Sequence, residues 1–121
     1  ATVIGIFLGQ REKGQPMTIV PDGTQRRDFT HVRDVARANI LAMESERVGK
    51  GEIINIGTGK NHSILDVAAL VGGPYVFSEP RQGEVPETLA DNSRAREFLE
   101  WVPEVSFEDG MYELKKMHGI L

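Results

Sequence analysis

The chain has 121 residues, 40% hydrophobic and 26% charged, with a formal charge of −4 and no cysteine. The length supports one domain with its own core, and the composition argues against disorder. The acidic balance argues against a nucleic-acid partner. The missing cysteines exclude disulfides, thiolate nucleophiles and cysteine-ligated zinc, and fit a reducing, cytoplasmic setting.

Val3, Ile4, Phe7 and Leu8 repeat at helical spacing until Gly14 and Pro16 stop the pattern. The apolar opening has no basic stretch before it and no small-residue cleavage site after it, so it does not read as a signal peptide. The chain starts on Ala1 rather than methionine, already inside that pattern, which suggests a piece of a longer protein. Met17 to Val20 is a strand candidate, closed by the turn signal Pro21-Asp22-Gly23. Asp28 to Val32 reads as the next strand, favoured by Phe29 and Thr30. Val32, Val35, Ala36, Ile40 and Met43 then form one helical stripe, with Asp34 near the N-terminus where its charge suits the dipole.

Gly49 and Gly51 break that helix, and Ile53, Ile54 and Ile56 make a β-branched strand that Gly57-Thr58-Gly59 turns. Ser63 and Asp66 form a capping box for a helix carrying Ile64, Val67, Ala68 and Val71, which ends at Gly72-Gly73-Pro74. Tyr75 to Phe77 is a short strand. Asp91 or Asn92 caps a helix through Ala95, Phe98 and Leu99. Ser106 opens a last helix with Phe107, Met111, Leu114 and Met117 on one face. Alternating strands and helices indicate a single α/β domain over residues 1–121. No apolar run approaches the roughly 20 residues that cross a bilayer, so no membrane partner is expected.

Four arginines lie between Arg26 and Arg37, enough for a local anion site on an acidic protein. Arg33 and Arg37 sit at i,i+4 and read as a solvated helix face. Arg27 on its own reads as a surface arginine paired with Asp28 or Asp22. His31, His62 and His118 lack metal-ligand spacing, and His31 reads as a half-buried strand histidine. Trp101 reads as a core anchor at a helix end.

Taken in order, several segments resemble the NAD-dependent epimerase/dehydratase family, the extended short-chain dehydrogenases of the UDP-glucose 4-epimerase type. They are Gly14-Gln15-Pro16 with Thr18-Ile19; Asp22 to Phe29 with Val32-Arg33-Asp34-Val35; Asn55 to Gly59; Arg81-Gln82-Gly83-Glu84; and Asp91 to Leu99 with Trp101 and Pro103. The resemblance runs over nearly the whole chain. It implies a small mixed sheet with flanking helices, the C-terminal, substrate-binding portion of such an enzyme without its Rossmann half.

The resemblance also implies roles. Arg27 and Arg81 would contact the diphosphate of a nucleotide sugar, and Glu84 would accept from a ribose hydroxyl. Guanidinium forks from two directions suit a diphosphate, and a carboxylate suits a ribose. Pro21 stands where the family often has glycine, Glu84 where it has aspartate, and the stretch from Gly72 to Ser78 is short. The family's cofactor is NAD, yet no G-x-G-x-x-G turn is present, so no cofactor is expected on this chain. Tyr112 and Lys116 match the spacing of the family's proton-transfer pair but lie downstream of the substrate motifs, on a terminal amphipathic helix. They are expected to be a coincidence of i,i+4 spacing.

Two functions from different classes remain open: a nucleotide-sugar-binding portion, catalytically silent alone, or an independent small module that oligomerises or binds a nucleotide. If the helix from Arg33 to Met43 normally packs on a cofactor domain, its apolar stripe is exposed in a chain of this length, and a homo-oligomer follows.

Overall fold

The computed structural model describes residues 2–121. Helix α1 (Val3–Glu12) starts where Thr2 accepts from the Gly5 amide and turns Phe7 and Leu8 into the interior. It ends at Gly14, whose φ of 68° is cheap only without a Cβ. Strand β1 (Met17–Ile19) follows, with Met17 and Ile19 fully buried and Thr18 facing out, the period-2 alternation of a one-sided strand. It pairs in parallel with β4 (Tyr75–Phe77), Thr18 opposite Val76.

Strand β2 (Arg26–Arg27) pairs antiparallel with β3 (His62–Ser63), Arg27 opposite His62. The sheet is thus mixed, as expected, but split into two pairs. The helices are α2 (Val32–Glu44), α3 (Ile64–Val71), α4 (Ser93–Leu99) and α5 (Phe107–Met117). The Ser63–Asp66 capping box forms as read, and Ser106 caps α5 by accepting from the Asp109 amide at 3.0 Å. Asn92 holds the N-cap position of α4 without a side-chain bond, while Asp91 accepts from Ser93 at 3.0 Å.

Two apolar clusters hold these elements together. One joins α1, β1, α3 and α5 through Phe7, Leu8, Met17, Ile19, Val67, Val71 and Met111. The other joins α2 to α4 through Ala38, Ala95, Leu99 and Trp101. Each fully buried large side chain stabilises the fold by about 1.5–3 kcal/mol.

Three sequence expectations change. The ladder at the second strand is Arg26–Arg27; Asp28 to His31 is extended without a ladder, and Val32 already belongs to α2. Ile53 to Ile56 is likewise extended but joins no ladder, because among the described residues no strand lies beside it. Ile54 and Ile56 still pack on the second cluster while Ile53 is 76% exposed. Met117 leaves the α5 face and is exposed. The α2 stripe lies outside, as the sequence reading expects: the helix buries Asp34 and Ala38, and presents Val32, Val35, Ile40 and Met43 to solvent.

Candidate functional site

Between α1, β1, β2 and the irregular segment after β4 lies a cavity of about 650 Å³. Arg27, Arg81 and Glu84 all line it, although two separate stretches supply them. The backbone explains the meeting. Arg26 donates its amide to the Pro86 carbonyl at 2.9 Å and accepts from the Thr88 amide at 3.0 Å. That clamp pins the long segment to β2 and lays Glu84 beside Arg27. The Arg27 guanidinium donates to Glu84 Oε1 at 2.9 Å, with both side chains about three-quarters buried (23% and 24% exposed). Arg27 is therefore paired, but with Glu84 and not with Asp28 or Asp22. Arg81 is exposed on the cavity rim.

The other end of the cavity reaches β1 through Thr18 and Val20. Met17 donates its amide to Pro74 and Ile19 accepts from Ser78, so the backbone groups of Thr18 and Val20 point to the opposite edge. Two side-chain amides close on that edge. Gln10 Oε1 accepts from the Thr18 amide and its Nε2 donates to Thr18 Oγ1, each at 3.0 Å; Gln25 Nε2 donates to the Val20 carbonyl at 2.9 Å.

Asp28, next to Arg27, does the opposite job. Its carboxylate accepts from the amides of Thr58 at 3.0 Å, Gly59 at 2.9 Å and Ala90 at 3.1 Å, and from the Thr58 hydroxyl at 2.6 Å. Convergent backbone amides of this kind form an anion nest. Here the chain's own carboxylate fills it. Gly57 is required: a Cβ there would stand 2.3 Å from Ala90 Cβ. The Thr58 and Gly59 amides of the Gly57-Thr58-Gly59 turn are occupied by Asp28 and are therefore not free to hold the pyrophosphate of a dinucleotide.

The other three arginines between Arg26 and Arg37 bond within the protein. Arg26 donates to Asn61 Oδ1 at 2.7 Å and to its carbonyl at 2.8 Å. Arg33 is 66% exposed and pairs with Glu113 at 2.9 Å. Arg37 is not its solvated twin. It is half-buried, sits 5.7 Å over the Trp101 ring, donates to Asp34 at 3.2 Å and also to the Val102 carbonyl. Trp101 is fully buried and donates to the Asp34 carbonyl at 2.9 Å, the anchor role expected of it.

Asp34 is 1% exposed and accepts from the amides of Glu104 and Val105, each at 3.1 Å. Burial works against its ionisation. The Val105 and Glu104 amides and the Arg37 guanidinium outweigh it and hold the carboxyl below its usual range. Sequence reading placed Asp34 at a helix start; its larger task is to fasten the 101–105 loop.

His31 is the N-cap of α2 rather than a strand residue, its Nδ1 accepting from the Arg33 amide at 3.0 Å. Tyr112 and Lys116 are exposed on α5 and line none of the cavities described here. Thr18, Val20 and Ser78 were missed as cavity residues. The strand alternation around Thr18 was the one available signal.

Comparison with known proteins gives this geometry a family. The profile of the NAD dependent epimerase/dehydratase family matches residues 1–57. The UDP-glucose 4-epimerase of Corynebacterium glutamicum is 38% identical over 112 residues, 84% of this chain and 34% of its own length. A crystal structure of UDP-glucose 4-epimerase with UDP-glucose from Thermotoga maritima superposes with a TM-score of 0.83 at 35% identity, over 97% of this chain and 40% of that one. One of UDP-glucuronic acid 4-epimerase from Bacillus cereus, in complex with UDP-glucuronic acid and NAD, gives 0.85 at 32% identity, over 98% and 40%. The chain thus spans no more than 40% of the length of these relatives. No helix is long and apolar enough to cross a membrane. The chain belongs to the NAD-dependent epimerase/dehydratase family.

Proposed function

We propose that this chain is the nucleotide-sugar-binding portion of an NAD-dependent epimerase or dehydratase acting in the cytoplasm. The observation that carries this reading is the convergence of Arg27, Arg81 and Glu84 on one cavity of about 650 Å³. In this reading a diphosphate lies between the two guanidiniums, which reach it from β2 and from the segment after β4. Glu84 exchanges Arg27 for a ribose hydroxyl when the phosphates arrive. The nucleobase lies toward the β1 edge at Thr18 and Val20, where the side-chain amides of Gln10 and Gln25 hold the backbone.

The chain alone is catalytically silent in this reading. The amide nest of Thr58, Gly59 and Ala90 is taken by Asp28, and Tyr112 and Lys116 lie on an exposed helix face. NAD and the proton-transfer groups belong to the remainder of a full-length relative. In this reading the chain also forms a homo-oligomer, supported by the apolar stripe that α2 turns outward.

Calorimetric titration with UDP-glucose at low salt tests the binding reading. Heat of binding that disappears in Arg27→Ala supports it. Binding that persists in both Arg27→Ala and Arg81→Ala refutes the assignment of the phosphate site.

A further inference from the structure

At the β1 end of the cavity one hydroxyl is held in a way that strand geometry does not require. Helix α1 turns Val3, Ile6 and Phe7 onto the cavity, and Gln10 follows them at i+3 from Phe7 on the same face. Its carboxamide meets Thr18, which lines the cavity from β1. Gln10 Oε1 accepts from the Thr18 amide, and Gln10 Nε2 donates to Thr18 Oγ1, each at 3.0 Å.

Chemistry fixes the direction of both bonds. A backbone N–H only donates, so the carboxamide oxygen must face it and the NH₂ group must face the hydroxyl. A hydroxyl carries one proton and two lone pairs. Gln10 takes a lone pair of Thr18 Oγ1, so the Thr18 proton is directed elsewhere, and among the described residues no acceptor receives it. Neighbouring polar side chains are spent within the chain. Gln25 accepts from the Gly23 amide at 2.8 Å and donates to the Val20 carbonyl at 2.9 Å. Ser78 Oγ donates to the Glu79 carbonyl at 3.3 Å. Thr18 thus brings an unspent donor to this end of the cavity. The elements that place it, α1 and β1, both belong to this chain.

A donor at that point discriminates between bases of nearly equal size. Uracil carries a carbonyl oxygen at the ring position where cytosine carries an amino group, an acceptor in one and a donor in the other. The Thr18 proton is satisfied by the first and opposed by the second.

We propose that Thr18 reads the nucleobase by donating to a carbonyl oxygen that cytosine lacks, with Gln10 as the positioning residue that sets the polarity of its hydroxyl. This rests on the nucleotide-sugar reading above and adds to it the class of base, a pyrimidine with an oxo group in place of the amine.

The test is calorimetric titration with UDP and with CDP, with circular dichroism to confirm folding of each variant. The wild type is expected to bind UDP about tenfold more tightly than CDP. Gln10→Glu keeps the shape of the pair and inverts its polarity. One carboxylate oxygen accepts from the Thr18 amide and the other takes the Thr18 hydroxyl proton, which leaves only lone pairs for the base. CDP is then expected to equal or overtake UDP. Thr18→Val removes the hydroxyl at nearly constant shape and is expected to erase most of the preference. A merely structural tie between α1 and β1 would weaken UDP and CDP together and leave their ratio unmoved. A ratio unchanged in Gln10→Glu overturns the role of Gln10. A ratio unchanged in Thr18→Val, or a wild type that binds both equally, overturns the proposal. The phosphates are common to UDP and CDP, so binding that persists in both Arg27→Ala and Arg81→Ala overturns the phosphate site while the ratio still decides Thr18. A wild type that binds neither overturns both.

Discussion

Arg27 and Asp28 are adjacent, and each is half of an anion–receptor pair, yet the two pairs differ in kind. At Asp28 the anion is the protein's own and the receptor is backbone: the amides of Thr58, Gly59 and Ala90. At Arg27 the receptor is a side chain, and the anion, Glu84, is a single carboxylate at the mouth of a large cavity. A nest whose donors all converge on one carboxylate cannot exchange it without undoing two loops. A guanidinium holding one carboxylate through one close contact has donors to spare. The first arrangement is architecture. The second can trade its partner for a ligand at small cost to the fold.

The sharpest way to break the comparison is Asp28→Ala. It strands three amides and a hydroxyl where loops 57–60 and 88–90 meet, and is expected to cost about 3 kcal/mol. Urea unfolding measures it; a loss under about 1 kcal/mol would mean the nest is not structural. Gly57→Ala attacks the same junction sterically, since its Cβ would lie 2.3 Å from that of Ala90. A cost of about 2 kcal/mol is expected.

Asp34 extends the contrast to a second internal carboxylate and gives it a pH dependence. Its folded pKa lies below the unfolded value, so its contribution is fully present above the ordinary aspartate range and is lost as pH falls through the folded value. Stability should therefore drop on acidification below about pH 4. Asp34→Asn should cost about 2 kcal/mol at neutral pH and flatten that part of the acid limb. A variant whose acid limb matches the wild type would remove Asp34 from the account.

What could be read from the sequence follows from where each signal resides. Helices announce themselves locally: the stripes of α1 and α3 and the caps at Ser63 and Ser106 appear where expected, because cap and period lie within a few residues. Strand pairing is not local. Ile53, Ile54 and Ile56 have β-branched side chains, yet the segment joins no ladder, while Arg26–Arg27, without any such signal, does. The Asp28 nest was hidden for the same reason: its partners stand 30 to 62 residues away. The α2 stripe was legible as amphipathic, but periodicity states which face is apolar and not whether anything covers it. Arg27, Arg81 and Glu84 came from the ordered resemblance to the family. The chain's own geometry then brought all three to one cavity.

On the exchangeable side, Arg27→Ala should change stability by less than about 1 kcal/mol, because a partly exposed ion pair contributes little. It should nonetheless abolish UDP-glucose binding. Loss of fold together with loss of binding would place Arg27 among the structural arginines with Arg26 and Arg37.

Glu84→Gln makes the smallest change and separates the two roles given to Glu84. Stability should stay within about 0.5 kcal/mol of the wild type. Releasing Arg27 from a competing carboxylate should strengthen binding of free pyrophosphate several-fold, because the variant no longer has to break the ion pair first. Losing the carboxylate that accepts from ribose should at the same time narrow the preference for UDP over 2′-deoxy-UDP, since a neutral amide oxygen is the weaker acceptor for a hydroxyl. Pyrophosphate affinity that does not move would mean that Glu84 does not gate Arg27. An unchanged ribose preference would mean that the sugar is read by another group in the cavity. The two readouts respond to different atoms of the ligand, so either role can fail without the other.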